Sequence, residues 1–373
     1  MKKSPLFLNS LLLLISTGIA IFTIELFCHL YLKIPINMPA IVYFDPTQKP
    51  AKRIKPNLDV QVDGPYREFS YRITTSADGF RQTYSFSNLQ HLYLAILGDS
   101  QSFGVGMNDD QTFASYLAKY LGKPVLNAAC PGYNTIEEFW IYKNEIQKLK
   151  PEHVLLFFFA GNDPYENFSN RALYDGKPLS TKKQKSDFDF SLSSIKKFLA
   201  KHSAIYHSLI QLRQTPTINQ FLYNLKLLNP TPPSELAIFR KDRNGNAPAH
   251  WQITEKIIAD LRREVESSGS QFKVVFVPER FQVDKIYWQQ WITKYQLNPE
   301  NFDLRLPNQH LEKFCKQNAI PFTDVTETLT DMQDHGKPVY WKIDNHLNAF
   351  GHQTIANFLI SQGLTTENSG VTQ

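Results

Sequence analysis

The chain has 373 residues, 42% of them hydrophobic, enough for one large α/β domain with or without an insertion and too apolar for a disordered chain. Its 40 Lys and Arg exceed its 35 Asp and Glu by only five, and no basic run is longer than the Lys52, Arg53, Lys55 cluster, which argues against a nucleic-acid partner. Cys28, Cys130 and Cys315 have neither CxxC nor metal-ligand spacing; no zinc site is legible, and separate core thiols or a Cys130 to Cys315 bridge both stay open.

In chain order, Leu6 to Ile24 is nearly all apolar and continues to Leu32, long enough to span a bilayer with some tilt. Lys2 and Lys3 precede it, so residues 1–5 are expected in the cytoplasm, 6–32 in the membrane and the rest outside. The run exceeds the apolar stretch of a signal peptide and no A-x-A site follows, which favours an uncleaved anchor over a cleaved leader. Residues 33–90, rich in Pro, Tyr and charge, read as a stalk and lead-in segment, with a turn at Asp78-Gly79.

Residues 91–162 then alternate strand and helix. The apolar run Leu92 to Leu97 is a strand that delivers the loop Gly98-Asp99-Ser100. Asn108 and Asp109 are candidate caps for a helix carrying Phe113, Tyr116, Leu117 and Tyr120, which Gly122 would stop. A strand at Pro124 to Leu126 follows. Thr135 with Glu138 reads as a capping box for a helix bearing Phe139, Tyr142, Ile146 and Leu149. Val154 to Phe159 is a buried strand whose unbroken apolar run suits a parallel sheet covered on both faces.

Residues 163–250 break the rhythm and read as an insertion or lid, with helical patterns at Ile195 to Leu199 and Ile218 to Leu227. Alternation resumes in 251–362: a helix over Thr254 to Ser268 closed by Gly269, a strand Phe272 to Val277, a helix 308 to 317, a strand Phe322 to Val325 and a last helix from Gly351 to Gln362. Residues 363–373 read as a flexible tail. The sum is an α/β, three-layer α/β/α sandwich on a parallel sheet of about five strands, plus the N-terminal transmembrane helix.

Ligands of such sheets bind beyond the carboxyl ends of the strands, where this chain places polar, glycine-bearing blocks. These are Gly98 to Gly104 (GDSQSFG), Asn127 to Gly132 (NAACPG) and Ala160 to Asp163 (AGND), followed before the last helix by Asp344 to Asn348 (DNHLN). A serine hydroxyl needs a neighbouring base near neutral pH, and a histidine supplies one. Ser100 and His346 take those roles, and Asp344, two residues from His346 in an extended stretch, can orient the imidazole. Ser102 is the local rival nucleophile. Asp99, Asn127 and Asp163 read as residues that fasten loops, Asn348 as a helix cap and His352 as a packing residue.

Together, in this order, the blocks resemble the SGNH (GDSL-like) hydrolase superfamily, and Gly79-Phe80-Arg81 ahead of them resembles its membrane-anchored bacterial members. The resemblance runs from Leu92 to Gln362. In the superfamily the aspartate stands three before the histidine; here that position is Ile343. The resemblance implies an oxyanion hole from the Ser100 and Gly132 backbone amides and the Asn162 side chain, and an acyl-enzyme mechanism; His335, His346 and His352 lack ligand spacing, so no metal is expected, nor any other cofactor. It also implies an extracytoplasmic ester hydrolase acting on acylated glycan or another small ester, with acyl transfer to a glycan, or glycan binding without turnover, as alternatives. An α/β-hydrolase lipase is disfavoured because no G-x-S-x-G elbow is present.

Overall fold

The structure, a computed structural model, describes residues 5–31, 39–64, 68–81, 92–175, 202–214, 231–241 and 247–363, together with Phe198, Leu199, Phe221 and Leu225. Two compact units form, the larger from residues 39–62, 70–181 and 230–373 and the smaller from 1–38, 63–69 and 182–229.

The larger unit opens on two antiparallel ribbons, β1 (Val42–Phe44) with β2 (Lys52–Ile54), and β3 (Asp59–Asp63) with β4 (Ser70–Thr74). The stretch read as an irregular stalk therefore holds paired strands, too short for an alternating pattern to stand out.

Five parallel strands follow: β5 (Leu94–Leu97), β6 (Val125–Asn127), β7 (His153–Phe159), β8 (Gln271–Val277) and β9 (Phe322–Asp324), in the order β6-β5-β7-β8-β9. Every residue of β5, β6 and β7 is buried, as continuous apolar strands require. On one face Ile96, Phe157 and Val275 pack with Phe113, Leu117, Leu329, Ile355 and Leu359, from the helices Phe113–Leu121, Thr326–Asp334 and Ala349–Ser361. Phe113 stacks on Phe157 at 4.3 Å. On the other face lie helices Thr135–Ile141 and Ala247–Ser267, and there Phe158 meets Trp251 at 6.1 Å. This is the three-layer α/β/α sandwich expected from the strand and helix alternation.

Several boundaries move. Asn134, not Thr135, caps the helix Thr135–Ile141, its side chain accepting the Ile136 amide while Glu137 closes the box. Thr112 caps the helix Phe113–Leu121, and Asn108 caps a separate 3-10 turn, Asp109–Gln111. The helix placed at Thr254 begins at Ala247, since Pro248 is tolerated in a first turn. Among the helices that the sequence reading did not place are Lys285–Tyr295 and Thr326–Asp334.

The insertion is not one piece. Its ends belong to the larger unit, as the helices Asp163–Ser169 and Arg171–Tyr174 and the 3-10 helix Ser234–Phe239, whereas the helix Ala204–Gln214 belongs to the smaller. Of the pattern at Ile218 to Leu227, only Phe221 and Leu225 fall within the described residues. The smaller unit also holds the helix Pro5–Leu30, long and apolar enough to cross a membrane. Cys28, Cys130 and Cys315 are free and buried.

Candidate active site

The chain runs outward from β5 to β6 at the sheet edge and then returns past β5 to β7, so the carboxyl end of β5 lies where the strand order reverses, the place such sheets reserve for ligands. Gly98 ends β5 there. A Cβ on it would collide with Ser102 Oγ, so only glycine lets the next turn fold tightly over the strand. Asp99 caps that turn, accepting the Gln101 amide at 2.8 Å, and Ser100 is its first residue. Ser102, the rival nucleophile, is fully buried.

Ser100 Oγ lies 2.9 Å from His346 Nε2, and His346 Nδ1 lies 2.5 Å from Asp344 Oδ1. The carboxylate keeps the ring proton on Nδ1, which leaves Nε2 free to accept from Ser100. Asp344 also accepts the His346 backbone amide at 2.8 Å, a two-residue turn that lets the acid stand two before the histidine. Ile343, at the superfamily's usual acid position, is 47% exposed.

Burial pushes the His346 imidazolium down, but the hydrogen bond and charge of Asp344, with smaller contributions from Asp99 and Glu279, outweigh it and leave the pKa raised. Asp344 shows the converse: burial raises its carboxyl, and His346 holds it below the usual carboxylate range. Behind the serine, burial lifts Asp99 to about 6. It also lifts Glu138 and Asp163 well above their ordinary values, with their mutual charges adding to the effect.

Of the expected oxyanion donors, Ser100 and Asn162 line one cavity of about 390 Å³. Asn162 gives one amide hydrogen to Tyr133 O at 3.3 Å and has a second to offer. Gly132 is outside that lining and adopts φ +76°, a left-handed conformation that suits a residue without Cβ. Its loop is tied to the serine loop by the Cys130 amide on Gly98 O at 3.1 Å. Lys52 Nζ donates to Gly132 O and pairs with Glu137 at 3.5 Å. The short basic cluster is therefore structural at that point.

The residues read as fasteners do fasten. Asn127 donates to Ser102 O at 3.0 Å, Asp163 accepts the Phe159 amide at 2.9 Å, and Asn348 accepts the Gly351 amide at 2.9 Å. His352 is fully buried, accepts the Phe113 amide on Nδ1 at 3.2 Å, and is pushed down to about 3 by burial.

Four supporting residues carried no assigned role in the sequence. Arg81, 2% exposed, donates to the carbonyls of Phe103, Gly104 and Met107 and pairs with Asp109 at 3.0 Å. Arg280 donates to the carbonyls of Trp341, Lys342 and Asp344 and pairs with Asp284 at 3.1 Å. Gln101 joins the two loops, accepting the Leu347 amide at 3.0 Å and donating to Asn345 O at 3.2 Å. Glu279 lines the cavity; burial pushes its carboxyl up to about 7, against hydrogen bonds from the Arg280 backbone and the Asn345 side chain. Only Arg81 had a signal, through its Gly-Phe-Arg context.

No curated protein matches the chain in sequence. Among solved structures it is similar to an acetylxylan esterase from Geobacillus stearothermophilus, at 11% identity and TM-score 0.39 over 73% of this chain and 94% of that one. It is similar also to a GDSL-like lipase from Bacteroides thetaiotaomicron, at 10% identity and TM-score 0.35 over 75% and 90%. Those scores are too low to argue from. The family profile of GDSL-like lipases and acylhydrolases, by contrast, matches residues 96–354, a span that begins inside β5 and takes in every block from Ser100 to His346. The chain belongs to the GDSL-like lipase/acylhydrolase family, and is with it a serine ester hydrolase.

Proposed function

We propose that Ser100 attacks the carbonyl of an O-acyl group on a carbohydrate, that His346 takes the serine proton and returns it to the leaving sugar hydroxyl, and that water then releases the acyl group. Asp344 holds the imidazole and stabilises the imidazolium. The Ser100 amide and the Asn162 side chain, with the Gly132 amide, face the developing oxyanion. Pro5–Leu30 tethers the enzyme outside the cytoplasm.

The observation that carries this reading is the unbroken Ser100, His346, Asp344 hydrogen-bond chain opening into a cavity of one electrostatic kind. Asp99, Glu235 and Glu279 line that cavity beside Gln101, Asn162, Asn345, Phe239, Phe281 and Trp291, with no Lys or Arg among the described lining residues. Above about pH 7, where Glu279 as well as Asp99 is ionised, these carboxylates repel phosphorylated or carboxylated substrates, and polar and aromatic walls suit a neutral polyol.

The test uses the full chain in detergent, a fluorophosphonate probe and acetylated neutral glycosides. Ser100→Ala is expected to abolish labelling and to lower turnover by about 10⁴-fold or more in a folded protein. Labelling that survives in Ser100→Ala removes the nucleophile assignment. Equal rates on a neutral ester and on one carrying a phosphate beside it remove the carbohydrate assignment.

A further inference from the structure

The helix Lys285–Tyr295 carries two Trp, two Tyr and two Ile among its eleven residues, yet none of the eleven is buried. Single exposed apolar residues are ordinary, but an open apolar patch at a cleft marks a binding surface. Ile286, 73% exposed, stands with Gln289, Gln290 and Thr293 at i, i+3, i+4 and i+7 on the exposed face. Those four side chains carry no charge, and Lys285 at their edge is paired with Asp334 at 2.6 Å.

The aromatic residues run alongside. Trp288 is the anchor, its ring meeting Phe281 at 5.4 Å and Phe302 at 5.6 Å. Tyr287, Trp291 and Tyr295 follow one another at i, i+4 and i+8, on one side of the helix, with ring centroids 6.2 Å apart for the first pair and 5.2 Å for the second. All three are half-buried. Trp291 links the row to the chemistry, because it lines the same cavity as Ser100 and His346. Its indole N–H, the one donor of that side chain, goes to the Tyr287 hydroxyl. The Tyr287 ring in turn lies 4.2 Å from the Arg280 guanidinium, which holds the acid-base loop through the Trp341 and Asp344 carbonyls. The row is thereby registered to His346.

We infer that this helix is a platform for a glycan chain, with Trp291 stacking on the sugar that bears the ester and Tyr295 on the next sugar along. The inference rests on the carbohydrate reading of the substrate and adds that the substrate is an oligomer. A pyranose presents an apolar C–H face that covers an aromatic ring, while its edge hydroxyls need polar partners. Gln290, Thr293 and Lys294, whose ammonium lies 5.0 Å from the Tyr295 ring, bring such partners to the row. Tyr287 is a positioning residue that keeps the indole in place. A sugar bound beyond the reacting one contributes binding that is the same in ground and transition states, and so acts on KM.

The test measures kcat/KM of the full chain in detergent on 4-nitrophenyl acetate, acetylated methyl glucoside and partially acetylated cellotetraose. Ratios between substrates do not depend on how much of a variant is folded. The wild type should favour the tetraose over the methyl glucoside by about tenfold, carried by KM. Tyr295→Ala is expected to lower that ratio by about fivefold. Trp291→Leu should lower the ratio of methyl glucoside to 4-nitrophenyl acetate by about tenfold, and Trp291→Phe, which keeps an aromatic face, should recover most of it. Tyr287→Phe should lower the same ratio by less, because the indole loses its acceptor and keeps its place on the helix. Either ratio unmoved in its variant overturns the inference, and turnover of the glycosides leaves the carbohydrate reading standing. A wild type indifferent to chain length overturns it as well. An enzyme that cleaves 4-nitrophenyl acetate and neither glycoside overturns the carbohydrate reading and the inference together.

Discussion

The loop that carries Ser100 and the loop that carries His346 are each held by one arginine bonded to three backbone carbonyls, yet the two arginines stand differently in the chain. Arg81 comes from the lead-in segment, outside the span matched by the family profile, and its side chain is wholly buried. Arg280 follows β8 inside that span, with a side chain 9% exposed; both carboxylate partners have a second task, Asp109 accepting the Thr74 amide and hydroxyl and Asp284 the Ile286 and Tyr287 amides at the start of the next helix. The nucleophile loop is thereby part of the folded core, supported by a segment that in sequence resembles a stalk. The acid-base loop is pinned to the core at Tyr340 and Leu347, and the backbone between them is held by Arg280 and Gln101. Removing supports should therefore hurt stability on one side and rate on the other.

The largest effect comes from the acid-base loop itself. Asp344→Asn is expected to lower kcat/KM by about 10⁴-fold with little change in thermal midpoint, because it removes the group that fixes the His346 tautomer and stabilises the imidazolium. The pH profile gives the sign. Asp344 raises the His346 pKa, and the base works only when neutral, so the acid limb of kcat/KM should lie above the usual imidazole value and move to lower pH in Asp344→Asn. A limb that stays in place would show that Asp99 and Glu279, not Asp344, set the histidine's charge.

Arg81→Met should come next, and through stability. It leaves Asp109 and three carbonyls without their buried partner, a loss of about 3–5 kcal/mol. For a domain of this size that lowers the thermal midpoint by on the order of 10 °C, measurable by circular dichroism. Below the new midpoint, kcat should fall less than in the acid-base variants. A midpoint within a degree of the wild type would sink the claim that the lead-in segment is part of the core.

What could be read from the sequence follows the same division. Gly98-Asp99-Ser100 was legible because a polar, glycine-bearing turn interrupts an apolar strand, and the sheet was legible because β7 from Val154 and β8 from Val274 are continuous apolar runs. The Ser100, His346, Asp344 hydrogen-bond chain was legible because Asp344 and His346 are neighbours whose chemistry has few other uses. Arg280, Gln101 and Lys52 were not, since each acts on a backbone carbonyl or amide tens to hundreds of residues away, and nothing local marks a long polar side chain as buried. Lys52 even sat in a short basic cluster weighed only as a nucleic-acid signal. The ribbons of residues 39–81 were lost for another reason: β1 and β2 have three residues each, too few for a period of two to register. The insertion misled because its continuity in sequence hid its division between two units.

Arg280→Met separates rate from stability on the opposite side. Asp284 keeps its helix-capping bonds, so the cost in stability should be about 1–3 kcal/mol, that of a few buried carbonyls left unpaired. The freed carbonyls of Trp341, Lys342 and Asp344 let the loop shift, and a displacement of about 1 Å at reacting groups costs about 10²-fold. Steady-state kinetics on an acetylated glycoside should show the loss in kcat, with KM nearly unchanged. A raised KM with kcat preserved would mean that Arg280 shapes the cavity and not the triad.

The smallest change tests the tie between the two loops. Gln101 is 2% exposed and makes one bond in each direction across the site, so Gln101→Met breaks both while filling similar volume. Two neutral hydrogen bonds are worth about 1–3 kcal/mol together, and a tie serving only alignment should lower kcat by less than tenfold. Combined with Arg280→Met, the variant becomes decisive. If Gln101 and Arg280 hold the same loop by alternative means, the double variant loses more than the product of the single losses, because either tie alone still keeps His346 within reach of Ser100. Independent losses would place the two residues on separate motions, and the acid-base loop would then be a rigid extension of β8 that happens to touch the nucleophile turn.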